Sequence, residues 1–76
     1  MKWDDELDTL TASVIARLGG DVFVSATERA LSIAMMRTPT TREVADAITA
    51  AGQSAAVWPV FADALKNECR RLLTVH

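Results

Sequence analysis

The sequence predicts an all-α fold: a compact bundle of four short helices, or five if residues 54–58 form a turn of their own. Three observations lead there. Apolar residues recur at helical spacing along most of the chain. The periodic stretches end at helix punctuation, Gly19-Gly20, Thr38-Pro39 and Gly52. The chain is 50% hydrophobic, yet two Trp and two Phe are its whole aromatic content, a balance that packs helices more readily than sheets. Its 76 residues suit a single helical domain spanning 1–76. A chain this short buries only roughly 60–65% of the surface it exposes when unfolded, so modest stability is expected.

The first helix is expected from Asp4 or Asp5. Either residue can cap it, and the acidic cluster Asp4, Asp5, Glu6, Asp8 suits the positive end of a helix dipole. Trp3, Leu7, Leu10, Val14 and Leu18 then share one face. Gly19-Gly20 stops the helix, since glycine readily takes the left-handed conformation of a C-terminal cap. The short apolar run Asp21-Val-Phe-Val24 has no stretch to pair with as a strand and reads as a connector.

Ser25-x-x-Glu28 has the spacing of a capping box, which starts the second helix at Ser25. That helix runs to about Arg37, because Thr38 precedes Pro39 and is biased away from helix. It is apolar on two sides. Leu31, Ala34 and Met35 form one stripe, and Ile33 and Met36 fall on the other side beside Arg29. A helix in a small domain usually needs one apolar face. The second face means that the helix is central, with Ile33 and Met36 in the core, or that these two meet a partner.

Thr40-x-x-Glu43 repeats the capping-box spacing. The third helix presents Val44, Ala47, Ile48 and Ala51 on one face, with Gly52 as its cap. The fourth is expected to start with Pro59 at its first position, leaving residues 54–58 as a turn. Phe61, Leu65, Cys69 and Leu72 form its stripe, and Lys66, Arg70 and Arg71 lie off it near the negative end of the dipole. Trp58 reads as a core plug at the start of this helix.

The function classes narrow by subtraction. The net charge of −2 gives no basic footprint for nucleic acid. The sole histidine, His76, is the last residue, so a serine or cysteine nucleophile has no placed base. Cys69 sits on an apolar stripe and reads as a small buried hydrophobe. No Cys/His pair has metal-ligand spacing, and no glycine-rich phosphate loop is present. Neither an enzyme nor a cofactor or metal is therefore expected. One cysteine excludes an internal disulfide. No apolar run reaches the roughly 20 residues of a membrane span. The start Met-Lys-Trp-Asp-Asp-Glu lacks a secretory pattern, so the cytoplasm is the expected compartment.

Glu68 falls inside the apolar stripe of the fourth helix, between Phe61, Leu65 and Leu72. A carboxylate there must be solvated, paired or protonated. The expectation is that it reaches the edge of the core and meets an arginine such as Arg17 or Arg37; the alternative is an ion pair with a partner.

Thr41-Arg-Glu-Val-Ala-Asp-Ala-Ile48 follows a helix and a short turn, and Glu28-Arg29 stands at a set spacing from Glu43-Val44. Over residues 25–48 this resembles the scaffold helix and its surroundings in a LuxR-type DNA-binding domain. The resemblance implies a helix-turn-helix in the middle of the chain, with DNA as ligand and Arg37, Arg42, Gln53 and Ser54 as contacts. Beyond residue 48 the pattern departs from the family. The turn Thr49-Ala-Ala-Gly-Gln53 is longer, and the would-be recognition segment, residues 53–64, holds no lysine or arginine to reach bases or phosphates.

The sequence therefore favours a small non-enzymatic interaction module: an adaptor, inhibitor or regulator that binds another protein or a second copy of itself. Ile33 and Met36 would be the apolar anchors, with Arg29, Arg37 and Glu68 beside them. A helix-turn-helix DNA-binding regulator is the second reading. A structural subunit of a larger assembly is the third. No membrane or small-molecule substrate is implied.

Overall fold

A single glycine turns the chain between its first two helices. In the computed structural model, which describes residues 5–49 and 55–75, the order is α1 (Asp5–Leu18), α2 (Gly20–Met35), α3 (Thr41–Ile48) and α4 (Trp58–Val75). Gly19 stands alone between α1 and α2. Its N–H donates to the carbonyls of Ile15 (3.1 Å) and Val14 (3.2 Å), which closes α1, and its own carbonyl accepts from the Phe23 N–H (3.3 Å), which opens α2. Its φ of 104° and ψ of 161° lie where a side chain is strongly disfavoured.

This corner corrects the reading of residues 21–28. Asp21–Val24 is no connector; it is the first turn of α2. Ser25 and Glu28 form no capping box, because both lie inside the helix and both are exposed. Helix propensity is weak in Val22, Phe23 and Val24, but burial of Phe23 and partial burial of Val22 against the core outweigh it. At its other end α2 stops at Met35. Met36, with φ 58° and ψ 31°, takes the left-handed cap position that glycine or asparagine normally fills.

The second capping box is present as expected. The Thr40 hydroxyl accepts from the Glu43 N–H (3.1 Å), and the Glu43 carboxylate accepts from the Thr40 N–H (2.9 Å). α3 ends at Ile48, earlier than expected. Thr49 serves as its cap: its N–H donates to the Ala45 carbonyl (3.2 Å) and its hydroxyl to that of Asp46 (3.0 Å). Ala51 and Gly52, expected as the end of this helix, lie outside the described residues, as do Trp3, Gln53, Ser54 and His76.

α4 starts one residue before Pro59, with the Phe61 N–H donating to the Val57 carbonyl at 2.9 Å. Proline is tolerated there because first-turn amides have no partner within the helix. Residues 55–57 form a turn, and Trp58 belongs to the helix. The expected stripe holds: Phe61, Leu65 and Cys69 are buried, and Leu72 packs against them.

α2 is the centre of the assembly. It packs against α1, α3 and α4; α1 and α4 pack against each other; among the described residues, α2 is the one helix whose backbone comes close to α3. The shared core is Leu7 and Val14 of α1, Phe23, Ala26, Ala30 and Leu31 of α2, Val44 and Ala47 of α3, and Phe61, Ala62, Leu65 and Cys69 of α4. Two threonines are buried with them. Each returns its hydroxyl to its own helix, Thr27 to the Phe23 carbonyl (2.9 Å) and Thr11 to that of Asp8 (3.1 Å), so neither is an unpaired polar group in the core. Trp58 is half-buried, its ring 5.7 Å from that of Phe61 and tilted by 52°. The radius of gyration is 11.3 Å, against about 11.4 Å for a packed chain of this length.

The corner at Gly19 predicts opposite results at adjacent glycines. Gly19→Ala should lower unfolding free energy by about 1–3 kcal/mol, the cost of holding a side chain in that backbone region. Gly20 is helical with open space around its Cα, so Gly20→Ala should leave stability unchanged or raise it by up to about 1 kcal/mol. Urea unfolding followed by circular dichroism measures both.

Candidate functional site

The candidate site is the outward face of α2. The helix turns Phe23, Ala26, Thr27, Ala30 and Leu31 inward. The opposite side then presents Ser25, Glu28, Arg29 and Ile33, all exposed, and half-buried Ser32; exposed Met36 follows directly after the last residue of the helix. This decides the question of the second apolar face. α2 is central, yet Ile33 is 55% exposed and Met36 91% exposed, so neither belongs to the core.

Two open grooves run along this face. One, of about 270 Å³, lies between α2 and α4 and has an apolar floor of Val22, Ala26 and Leu72 with Arg29, Glu68 and Arg71 at its rim. The other, of about 420 Å³, is bordered by Glu28, Ser32, Ile33, Thr38 and Pro39. Ser25 and Arg29 line both, so the two adjoin.

Glu68 sits in the first groove with its side chain 13% exposed. Its partners are neither Arg17 nor Arg37. Its carboxylate accepts from Arg71 at 2.7 Å, one turn along α4, and lies 3.7 Å from Arg29 across the groove. The two arginine side chains remain about half exposed or more, so water screens both pairs and they add little to stability. The carboxylate is therefore satisfied within the chain. Of its two partners, Arg71 was legible from its spacing on the same helix; Arg29 needed the α2–α4 contact.

Arg37 turns away from the groove. Its guanidinium clamps Glu43, Nη1 to Oε1 at 2.8 Å and Nη2 to Oε2, and Nη1 also reaches the Thr38 carbonyl at 3.4 Å. The Arg37 hydrogen bonds, and next the Thr40 amide, hold the Glu43 carboxyl down at about 2. Arg37 is thus a brace for the α2–α3 turn. Arg42 is exposed on α3. Of the nucleic-acid contacts the family resemblance implies, Arg37 is neutralised locally. Gln53 and Ser54 lie outside the described residues. α2 and α3 pack across the 36–40 turn, but among the described residues the α3 backbone does not come close to α4, which carries residues 58–64 of the would-be recognition segment. A helix-turn-helix packs its two helices together.

Elsewhere, Glu6 joins α1 to α4 through Arg70 (2.7 Å) and Lys66 (3.6 Å). The Cys69 thiol is fully buried, and burial, then the nearby Glu68 charge, pushes its pKa up to about 11. Few thiolates form there near neutral pH. Among the described residues no group of three or more His, Cys, Asp or Glu is placed to hold a metal, no buried side-chain nitrogen or oxygen lacks a partner, and no helix is long and apolar enough to cross a membrane.

No protein-family profile, curated protein or solved structure matches the chain. The LuxR-type resemblance over residues 25–48 accordingly gains nothing from these comparisons.

Two titrations test this geometry. A Glu43 carboxyl held at about 2 in the folded chain lies below its unfolded value of about 4.3. The clamp therefore stabilises the fold fully above the unfolded value and loses that contribution as pH falls through this window. In Arg37→Gln the Glu43 carboxyl, followed by NMR, should titrate higher than in the wild type yet stay below its ordinary value, because the Thr40 amide still donates to it, and the stability gap between the two proteins should close as pH falls toward 2. Cys69 should resist a thiol reagent at pH 8 in native protein and react fully in urea; rapid native labelling would contradict its burial.

Proposed function

We propose that the chain is a small non-enzymatic interaction protein that binds another protein, or a second copy of itself, through the outward face of α2. The observation that carries this reading is Met36. It occupies a backbone position that disfavours any side chain with a Cβ, it is 91% exposed, and it lies three residues after exposed Ile33. Such a side chain adds nothing to the packing of its own chain. Methionine adapts readily to a partner's contours. The grooves along α2, one of them bordered by Ile33, offer an apolar floor, hydroxyls and charges of both signs, a mixture typical of non-obligate interfaces. Arg29 and Ile33 border the contact; Arg37 and Glu68 support it through their internal ion pairs. A buried lone cysteine suits a reducing compartment such as the cytoplasm.

The experiment compares wild type with Ile33→Glu and Met36→Glu. Both positions are exposed, so unfolding free energy should move by no more than about 0.5 kcal/mol. Association should be lost, whether read as a fall in light-scattering mass or as loss of a partner retained by immobilised wild type. A wild-type chain that stays monomeric and retains nothing that the variants fail to retain would refute the reading. Titration with random duplex DNA at low salt tests the second reading; tight binding with a steep salt dependence would favour it instead.

A further inference from the structure

Three observations meet at the joint between α2 and α3. First, among the described residues α2 is the one helix whose backbone comes close to α3, whereas α1, α2 and α4 each meet at least two other helices. Second, α3 has eight residues and contributes only Val44 and Ala47 as buried side chains. A helix that short does not hold in water without its cap and its docking surface. Third, the joint is held by opposed features. Met36 is in the left-handed region at φ 58°. The next residue, Arg37, clamps Glu43, which in turn holds the Thr40 amide.

We propose that α3 is a detachable flap that opens from α2 as a unit while α1, α2 and α4 stay folded, with the Arg37–Glu43–Thr40 network as its latch. Opening separates Arg37 from Glu43, and water solvates both. Met36 is then released from the left-handed conformation, which offsets part of the cost. Val44 and Ala47 leave the core, and α3 loses its helix. Among the described residues neither the α1 nor the α4 backbone comes close to that of α3, so their packing on α2 and on each other stays in place. The α2 surface beneath α3 is uncovered, enlarging the apolar area that Ile33 and Met36 already expose. The closed and open forms therefore present different α2 surfaces.

Hydrogen exchange of backbone amides on the full chain, under native conditions and with no partner present, tests this. Amides in the last turn of α3, Ala47 to Thr49, should exchange at least about tenfold faster than the most protected amides of α1, α2 and α4, after correction for intrinsic rates. Arg37→Met and Thr40→Ala, each cutting the latch at a different atom, should speed exchange in α3 by about threefold or more and leave α1 and α4 unchanged. Equal protection in α3 and α2, or variants that speed all four helices together, would overturn the proposal. Because no partner takes part, this failure would leave the reading of Ile33 and Met36 standing.

Discussion

Three helices draw on one face of α2, and the rest of the structure depends on that sharing. Phe23, Ala26, Thr27, Ala30 and Leu31 are the inward residues. Two of them are alanines, and the buried threonine returns its hydroxyl to the backbone, so neighbours can approach closely without stranding a polar group. Gly19 enforces the arrangement. With one residue between α1 and α2, the two helices must fold back at a corner that only glycine makes cheaply. α4 then closes over both, burying Phe61, Leu65 and Cys69.

How much of this was legible in the sequence is best judged from two motifs with the same spacing. Thr40-x-x-Glu43 and Ser25-x-x-Glu28 both read as capping boxes. The first is one, and the second is the middle of a helix. The difference lies upstream. Pro39 bars a helix from running through Thr40, whereas nothing between Gly20 and Ser25 prevents α2 from starting early. Burial of Phe23 then settles the matter, and burial is a tertiary fact that local propensity does not carry. Periodicity, by contrast, placed the α4 stripe and Leu7, Leu10, Val14 and Leu18 of the α1 stripe correctly, because a helix needs its apolar residues on one side whatever it packs against.

The candidate site was legible as a suspicion and not as a geometry. The sequence marked Ile33 and Met36 as spare apolar residues, and their exposure follows from α2 having its three neighbours elsewhere around the helix. It also marked Glu68 as a carboxylate needing a partner, but the partners depend on how α2 and α4 cross. Arg29 and Arg71 hold it, while Arg37 is taken by Glu43. Candidate anchors and candidate braces thus separate only in three dimensions.

The central claim is that α2 has one face committed to the fold and one free of it. Met35 and Met36 stand side by side at the end of the helix, the first partly buried against the core and the second almost wholly in solvent. Limited peroxide oxidation, read residue by residue in a mass spectrometer, compares them within one molecule. The account predicts that Met36 is converted to its sulfoxide well before Met35, with the circular dichroism spectrum unchanged at that stage. Equal rates, or loss of helix as Met36 is oxidised, would contradict it.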